Sequence, residues 1–273
     1  MFEMLNEMLG MPFIVRALVV GILVALCAAL LGVSLVLKPY SMIGEGLSHV
    51  GFGTLAVALA FNMAPLQVSI PLVLLAAFLL LRLSESSKIK GDAAIALVSS
   101  SALAIGVIIV AKTKGMTADL CNYMFGSVLS VKQNELYISV AVSVVVLVLY
   151  VFFYHKIYSV TFDEKFAKAT GMKTGLYNML IALLTALVIV VGMRVMGAML
   201  ISSLIIFPAL TSMRIFRSFR SVVISSAILS VVCFFIGIMV AYAWDTPAGA
   251  SIVVVNLAAF LLFSAAGLIR RNS

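Results

Sequence analysis

The chain has 273 residues, of which 64% are hydrophobic and 10% charged, and its mean hydropathy is +1.25. Soluble domains run near 45–50% apolar and about 25% charged, so a soluble fold is excluded and a polytopic helical membrane protein is indicated. The net charge of +8 does not point to nucleic acid, because the basic residues cluster in short loops between apolar spans.

The apolar runs are continuous rather than alternating, which excludes an outer-membrane barrel. Met1 to Met11 carries Glu3 and Glu7 and no basic n-region, so it does not read as a signal peptide. The first span is predicted over Pro12 to Leu37, with Pro12 at a helix start and Lys38-Pro39 as its stop. A second runs from about Pro39 to Phe61. The third, Pro65 to Leu83, is expected to be broken by Pro71, and a fourth follows the polar loop Arg82 to Asp92 and ends near Ala111. Lys112 to Gln133 is only half apolar; within it Cys121 to Val131 reads as a short interfacial or re-entrant helix. The fifth span covers Glu135 to His155, and the longest polar stretch follows, Lys156 to Gly175. Leu176 to Met193 and Val195 to Met213 come in close succession around Arg194, with a kink or break expected at Pro208. Ser221 to Ala243 and Ala250 to Ile269 complete the chain. The expected fold class is therefore all-α, with eight to nine transmembrane helices in one domain over 1–273.

Sidedness follows from the basic residues. Lys38, the Arg82–Lys90 loop, Lys156 to Lys173, Arg214 to Arg220 and Arg270-Arg271 share one side of a nine-span layout. Arg16, Lys112, Lys114, Lys132 and Arg194 fall on the other. The positive-inside rule then predicts an outside N-terminus and a cytoplasmic C-terminus. The cysteines, Cys27, Cys121 and Cys233, suggest neither a disulfide framework nor a thiolate zinc site.

One stretch violates the apolar rule. Ser41-Met42-Ile43-Gly44-Glu45-Gly46-Leu47-Ser48-His49-Val50-Gly51-Phe52-Gly53 places a carboxylate and an imidazole inside a span. Four residues apart, Glu45 and His49 share one helix face. A helix starting at Pro39 carries them about 9 Å and about 15 Å into a hydrocarbon layer roughly 30 Å thick. A charge near that depth costs about 2.5–3.5 kcal/mol on the lenient insertion scale, so it must face protein, water or an ion. Two readings are open: an internal pair that glues helices, or half of a divalent-metal site. The glycines at 44, 46, 51 and 53 likewise either permit close helix packing or expose carbonyls to an ion.

Enzymatic readings fail on the residues available. An intramembrane zinc protease needs His-Glu-x-x-His, whereas His49 and His155 are the two histidines and Glu45 precedes His49 by four. No Gly-x-x-x-x-Gly-Lys-Ser/Thr occurs, so ATP hydrolysis belongs to a separate chain or an ion gradient supplies the energy. His155, beside Tyr154 and Lys156, reads as an interfacial aromatic anchor rather than a ligand. A second stretch, Thr161 to Gly171, predicts a two-turn cytoplasmic helix, with Thr161 and Glu164 as capping box, Lys168 in its last turn and Gly171 as its stop. Too short to stand alone in water, it is expected to dock on its own bundle or on another protein.

These stretches resemble the permease subunits of bacterial ATP-binding-cassette importers for zinc, manganese and iron. Gly44-Glu45-Gly46-Leu47-Ser48-His49 is similar to that family's Gly-Asp-x-x-Ser-His, with Glu45 in place of the usual Asp. Asp163, Phe166, Ala167 and, one position late, Gly171 resemble its cytoplasmic motif. Met124-Phe125-Gly126, Gly197 to Ile201, Phe207-Pro208-Ala209 and Asp245 to Gly249 follow in collinear order. The resemblance implies an ABC importer permease fold in the bacterial cytoplasmic membrane, with no catalytic residues. It implies a permease homodimer, two copies of a separate ATPase and an extracytoplasmic metal-binding protein. Glu45 and His49 would then be pathway ligands, and Asp163, Glu164, Phe166, Ala167 and Gly171 would belong to the helix that docks on the ATPase. The metal, Zn2+ in preference to Mn2+ or Fe2+, is cargo and not a resident cofactor. The alternatives are a permease for a metal chelate such as a haem, siderophore or cobalamin, and an ATPase-independent cation transporter.

Overall fold

The structure, a computed structural model, describes residues 10, 12–38, 41–85, 91–113 and 133–272. Among them all regular structure is helical. Helices α1 (Pro12–Val36), α2 (Ile43–Ala60), α3 (Pro65–Glu85), α4 (Gly91–Lys112) and α5 (Gln133–Phe152) come first. Two short helices, α6 (Tyr154–Phe162) and α7 (Glu164–Ala169), lead into α8 (Thr174–Met196) and α9 (Ala198–Met213). Finally α10 (Phe219–Trp244) and α11 (Ala248–Asn272) form an antiparallel pair around the Trp244–Ala248 turn. A spanning segment in lipid must satisfy its backbone internally, and continuous helix does so.

Eight of these helices are long and apolar enough to cross a bilayer. The exception among the apolar ones is α9, whose 16 residues reach about 24 Å. Its ends nonetheless lie toward opposite ends of the bundle. It starts beside the last turn of α8, and it finishes at Arg214, whose carbonyl lies against Gly267 near the end of α11. The expected eight to nine spans therefore stand.

The helices sort into an inner and an outer set. In α1, α2 and α8, 67% of the span is buried, against 11% in α11. Helix α1 is the hub, packed on α5, α8, α9 and α10, while α2 packs on α3, α4, α8 and α9. Small residues make this possible. A Cβ on Gly32 would meet the Ile205 carbonyl at 1.9 Å, so α1 and α9 touch backbone to backbone. All four glycines of α2 are buried against neighbours; a Cβ on Gly53 would meet the Ala102 carbonyl of α4 at 2.7 Å. Packing, rather than carbonyl exposure, is their role. Buried hydroxyls add cross-links: Ser230 donates to the Ala25 carbonyl at 2.9 Å, and Ser226 to the Pro208 carbonyl at 3.1 Å.

Several expected boundaries shift. Helix α3 continues through Pro71, and α9 through Pro208, so neither proline ends its span. The fifth span stops at Phe152; Phe153 breaks it, and His155 belongs to α6, edge-on to Tyr154 with ring centroids 5.6 Å apart. Between α8 and α9 the break is Gly197, at φ +89°, a conformation that L side chains rarely adopt. Arg194 stays helical and pairs with Glu135 at 3.0 Å, closing the end of the bundle where α5 starts and α8 finishes. The re-entrant helix expected at Cys121 to Val131, and Met124-Phe125-Gly126 within it, lie outside the described residues.

Candidate metal path and coupling helix

Helix α2 starts at Ile43, which places Glu45 in its first turn. Unpaired backbone N–H groups and the positive end of the helix dipole favour a carboxylate there. His49 follows one turn later on the same face, with 4.0 Å between its Nε2 and Glu45 Oε1. Against a span otherwise 67% buried, their side chains keep 33% and 45% of their surface exposed. Both border a cavity of about 210 Å³. Ser48 and Phe52 complete its α2 wall, Leu103 comes from α4, and Ala198, Met199 and Ser202 from α9. Ser202 and Ser48 hydroxyls join α9 to α2 at 2.9 Å, and Ser48 donates onward to the Gly44 carbonyl at 2.9 Å. The contact between the α2 and α9 walls is thus fixed by hydrogen bonds, while the carboxylate and imidazole border open volume.

The chemistry of the pair can be checked against metal geometry. Bonds of about 2.1 Å to a tetrahedral ion separate two donors by roughly 3.4 Å. The observed gap exceeds that by an amount a small χ rotation of the longer Glu side chain closes. Among the described residues no cluster of three or more His, Cys, Asp or Glu side chains occurs. The described residues of one chain therefore place two strong donors, Glu45 and His49, at this cavity, where zinc takes four.

At the Lys38 end of α1, the Thr161 to Gly171 stretch departs from its expected capping. Thr161 is the penultimate residue of α6 and not an N-cap. The cap is Asp163, in extended conformation, whose Oδ1 accepts from the Phe166 N–H at 2.9 Å. Helix α7 is then six residues, Glu164–Ala169, with Lys168 in its last turn. Gly171, at φ +84°, ends it, as its N–H bonds the Lys168 carbonyl at 3.1 Å while the Met172 N–H reaches the Ala167 carbonyl at 3.0 Å. Ala167 is buried on the bundle, whereas Phe166 keeps 67% of its surface exposed, as bare as Phe162 four residues earlier.

Glu164, freed from capping, takes part in a contact that the sequence did not reveal. Lys38, just after α1, donates to Glu164 Oε2 at 3.2 Å and to Asn178 Oδ1 of α8. Asn178 Nδ2 in turn donates to Glu164 Oε1 at 2.8 Å. Lys38 read as one more loop cation; nothing local distinguishes it from Lys156 or Lys173.

A helical bundle of eight to nine spans, with a carboxylate and an imidazole on a cavity wall and an exposed aromatic on a short polar helix, has the make-up of a membrane transport subunit. The chain belongs to the ABC 3 transport family, which it matches over residues 10–267. It is 30% identical to the high-affinity zinc uptake system membrane protein ZnuB of Haemophilus influenzae, over 90% of this chain and 94% of that protein. It is 29% identical to the manganese import system permease protein ScaB of Streptococcus gordonii, covering 95% and 93%. A chain of the solved PsaBC complex with Fab from Streptococcus pneumoniae superposes with a TM-score of 0.85 at 30% identity, covering 96% and 94%. The resemblance drawn from the motifs is therefore a family membership, and the fold is that of a multi-pass membrane permease.

Proposed function

We propose that this chain is the single-domain permease of an ATP-driven importer for a divalent transition metal, with Glu45 and His49 as its ligands. The observation that carries the reading is a carboxylate and an imidazole 4.0 Å apart, both open to one cavity within the span. The partly exposed side chains argue against a pair that serves only to glue helices. Two copies of the pair, one from each of two chains, would supply the four donors of a tetrahedral set, which supports a homodimer around the path. Relatives named for zinc and for manganese agree with this cargo class. Zinc is the cargo we favour, on the imidazole nitrogen; the carboxylate suits manganese as well. A cavity of about 210 Å³ is small for a chelate, since organic ligands occupy pockets of about 300 Å³ and more.

Energy would come from two copies of a separate ATPase docked on α7, with Asp163 as cap, Ala167 as the seat on the bundle, Phe166 as the exposed knob and Gly171 as the stop. A metal-binding protein would deliver the ion on the opposite face. This orientation makes the Lys38 and Arg214–Arg220 end cytoplasmic and leaves the N-terminus outside, as the distribution of basic residues supports. A transporter that works without an ATPase would leave Phe166 without an occupant. The test is uptake of radiolabelled zinc and manganese in cells expressing wild type, Glu45→Ala or His49→Ala at matched membrane levels. Uptake unchanged by both substitutions would overturn the metal path, and manganese uptake above zinc would reverse the preference.

A further inference from the structure

We propose that Lys38, Glu164 and Asn178 form the link through which movement of α7 reaches the ligand-bearing helix, and that Lys38 is a positioning residue for transport. The inference rests on the permease reading above.

Three elements meet in this ring: the end of α1, the first residue of α7 and the early part of α8. Each side chain bonds both others, through Lys38 Nζ, both Glu164 oxygens and both ends of the Asn178 amide. Burying an ammonium is costly unless it is paired and hydrogen-bonded. With 3% of its side chain exposed, Lys38 has in Glu164 a carboxylate partner and in Asn178 a buried amide partner. The position of α1's end is thus tied to that of α7 by a charge-assisted hydrogen bond from a buried ammonium, whose loss takes away the carboxylate at 3.2 Å. A six-residue helix has no stability of its own, so its position is set by what it bonds.

The ring is uneven. Asn178 is 2% exposed and holds the inner leg, whereas the Glu164 side chain keeps 44% of its surface in solvent. The Glu164 leg can therefore open to water while the Lys38 to Asn178 leg stays closed, giving two arrangements between which docking on α7 can choose. In the other direction the route is short. Helix α2 begins five residues after Lys38, and Glu45 lies seven residues after it. A shift of Lys38 along the bundle axis thus acts on the first turn of α2, where the carboxylate sits. No comparable polar bridge joins α7 to the span helices among the hydrogen bonds described.

The experiment is a coupling ratio. The permease and its ATPase partner are reconstituted in liposomes as wild type, Lys38→Met and Asn178→Ala, and zinc ions accumulated per ATP hydrolysed are counted. Met keeps the length of Lys38 and leaves Glu164 bonded to Asn178; Asn178→Ala keeps the ion pair and removes the inner leg, so the two variants test the ring separately. Both are expected to assemble with the ATPase and hydrolyse ATP, with the ratio lowered about fivefold or more. A wild-type ratio in assembled complexes of both variants overturns the link. Lower yield of complex with an unchanged ratio in what assembles makes the ring a brace only, and overturns it as well. A wild-type complex that hydrolyses ATP yet accumulates neither zinc nor manganese breaks the permease reading instead.

Discussion

Around Glu45 and His49 the polar side chains are partly exposed, stand 4.0 Å apart and border open volume. Around Lys38 the lysine side chain is 3% exposed and each of the three side chains bonds the other two. Both clusters put charge on inner helices, and they solve the desolvation problem in opposite ways. A buried polar group that is fully partnered rigidifies its surroundings, whereas one left with open valences is available to a ligand. An ion that must leave again needs the second arrangement, and a joint that must carry force needs the first. The difference predicts that substitutions in the two clusters fail in different ways.

The largest effect is expected at the ligands. His49→Ala removes the nitrogen donor and should lower metal uptake about a hundredfold or more, with thermal stability of the purified permease unchanged. A folded, wild-type-stable variant that still transports would erase the contrast between the clusters. Phe166→Asp comes next. Replacing the exposed aromatic with a charge should abolish co-purification of the ATPase while metal binding at Glu45 and His49, followed by calorimetry, persists. Retained assembly would remove α7 as the docking element.

Gly32→Val sharpens the packing side of the comparison. Its side chain would enter the space of the Ile205 carbonyl, so a loss of about 3 kcal/mol or more is expected, read as lost monodisperse protein. Asp163→Ala removes the α7 cap and should cost about 1 kcal/mol, seen as faster amide exchange at Phe166 with the metal site untouched. The smallest effect is assigned to Ser202→Ala. It breaks the α9 to α2 hydroxyl contact, and we expect uptake to fall by a few-fold at most, since one neutral hydrogen bond contributes about 1 kcal/mol.

Much of this was legible in the chain. The apolar runs gave helices because a bilayer leaves a backbone no other way to satisfy its N–H and C=O groups. The spacing of Glu45 and His49 put them on one face because helical periodicity is local. Gly171 stopped α7 for an equally local reason, its positive φ. Errors arose where a local signal met a competing one. Thr161 and Glu164 fit a capping box, yet Asp163 sits closer to the start and its shorter carboxylate reaches the Phe166 N–H, so it took the cap. Pro71 signalled a break and Pro208 a kink or break, but a proline removes only one N–H donor from a long helix, and α3 and α9 run through both without ending.

By itself, then, the sequence determined class, approximate spans, the shared face of the ligand pair and the short polar helix. Each follows from composition or from contacts within a few residues. Tertiary structure alone decided that Leu103, Met199 and Ser202 wall the cavity with Glu45 and His49, and that Lys38 closes a ring with residues 126 and 140 positions away. Those outcomes depend on which helix faces meet, and close approach at glycines such as Gly32 and Gly53 sets that. A lysine at the end of a span looks the same in sequence whether it faces water or a carboxylate, and only the packed bundle distinguishes the two.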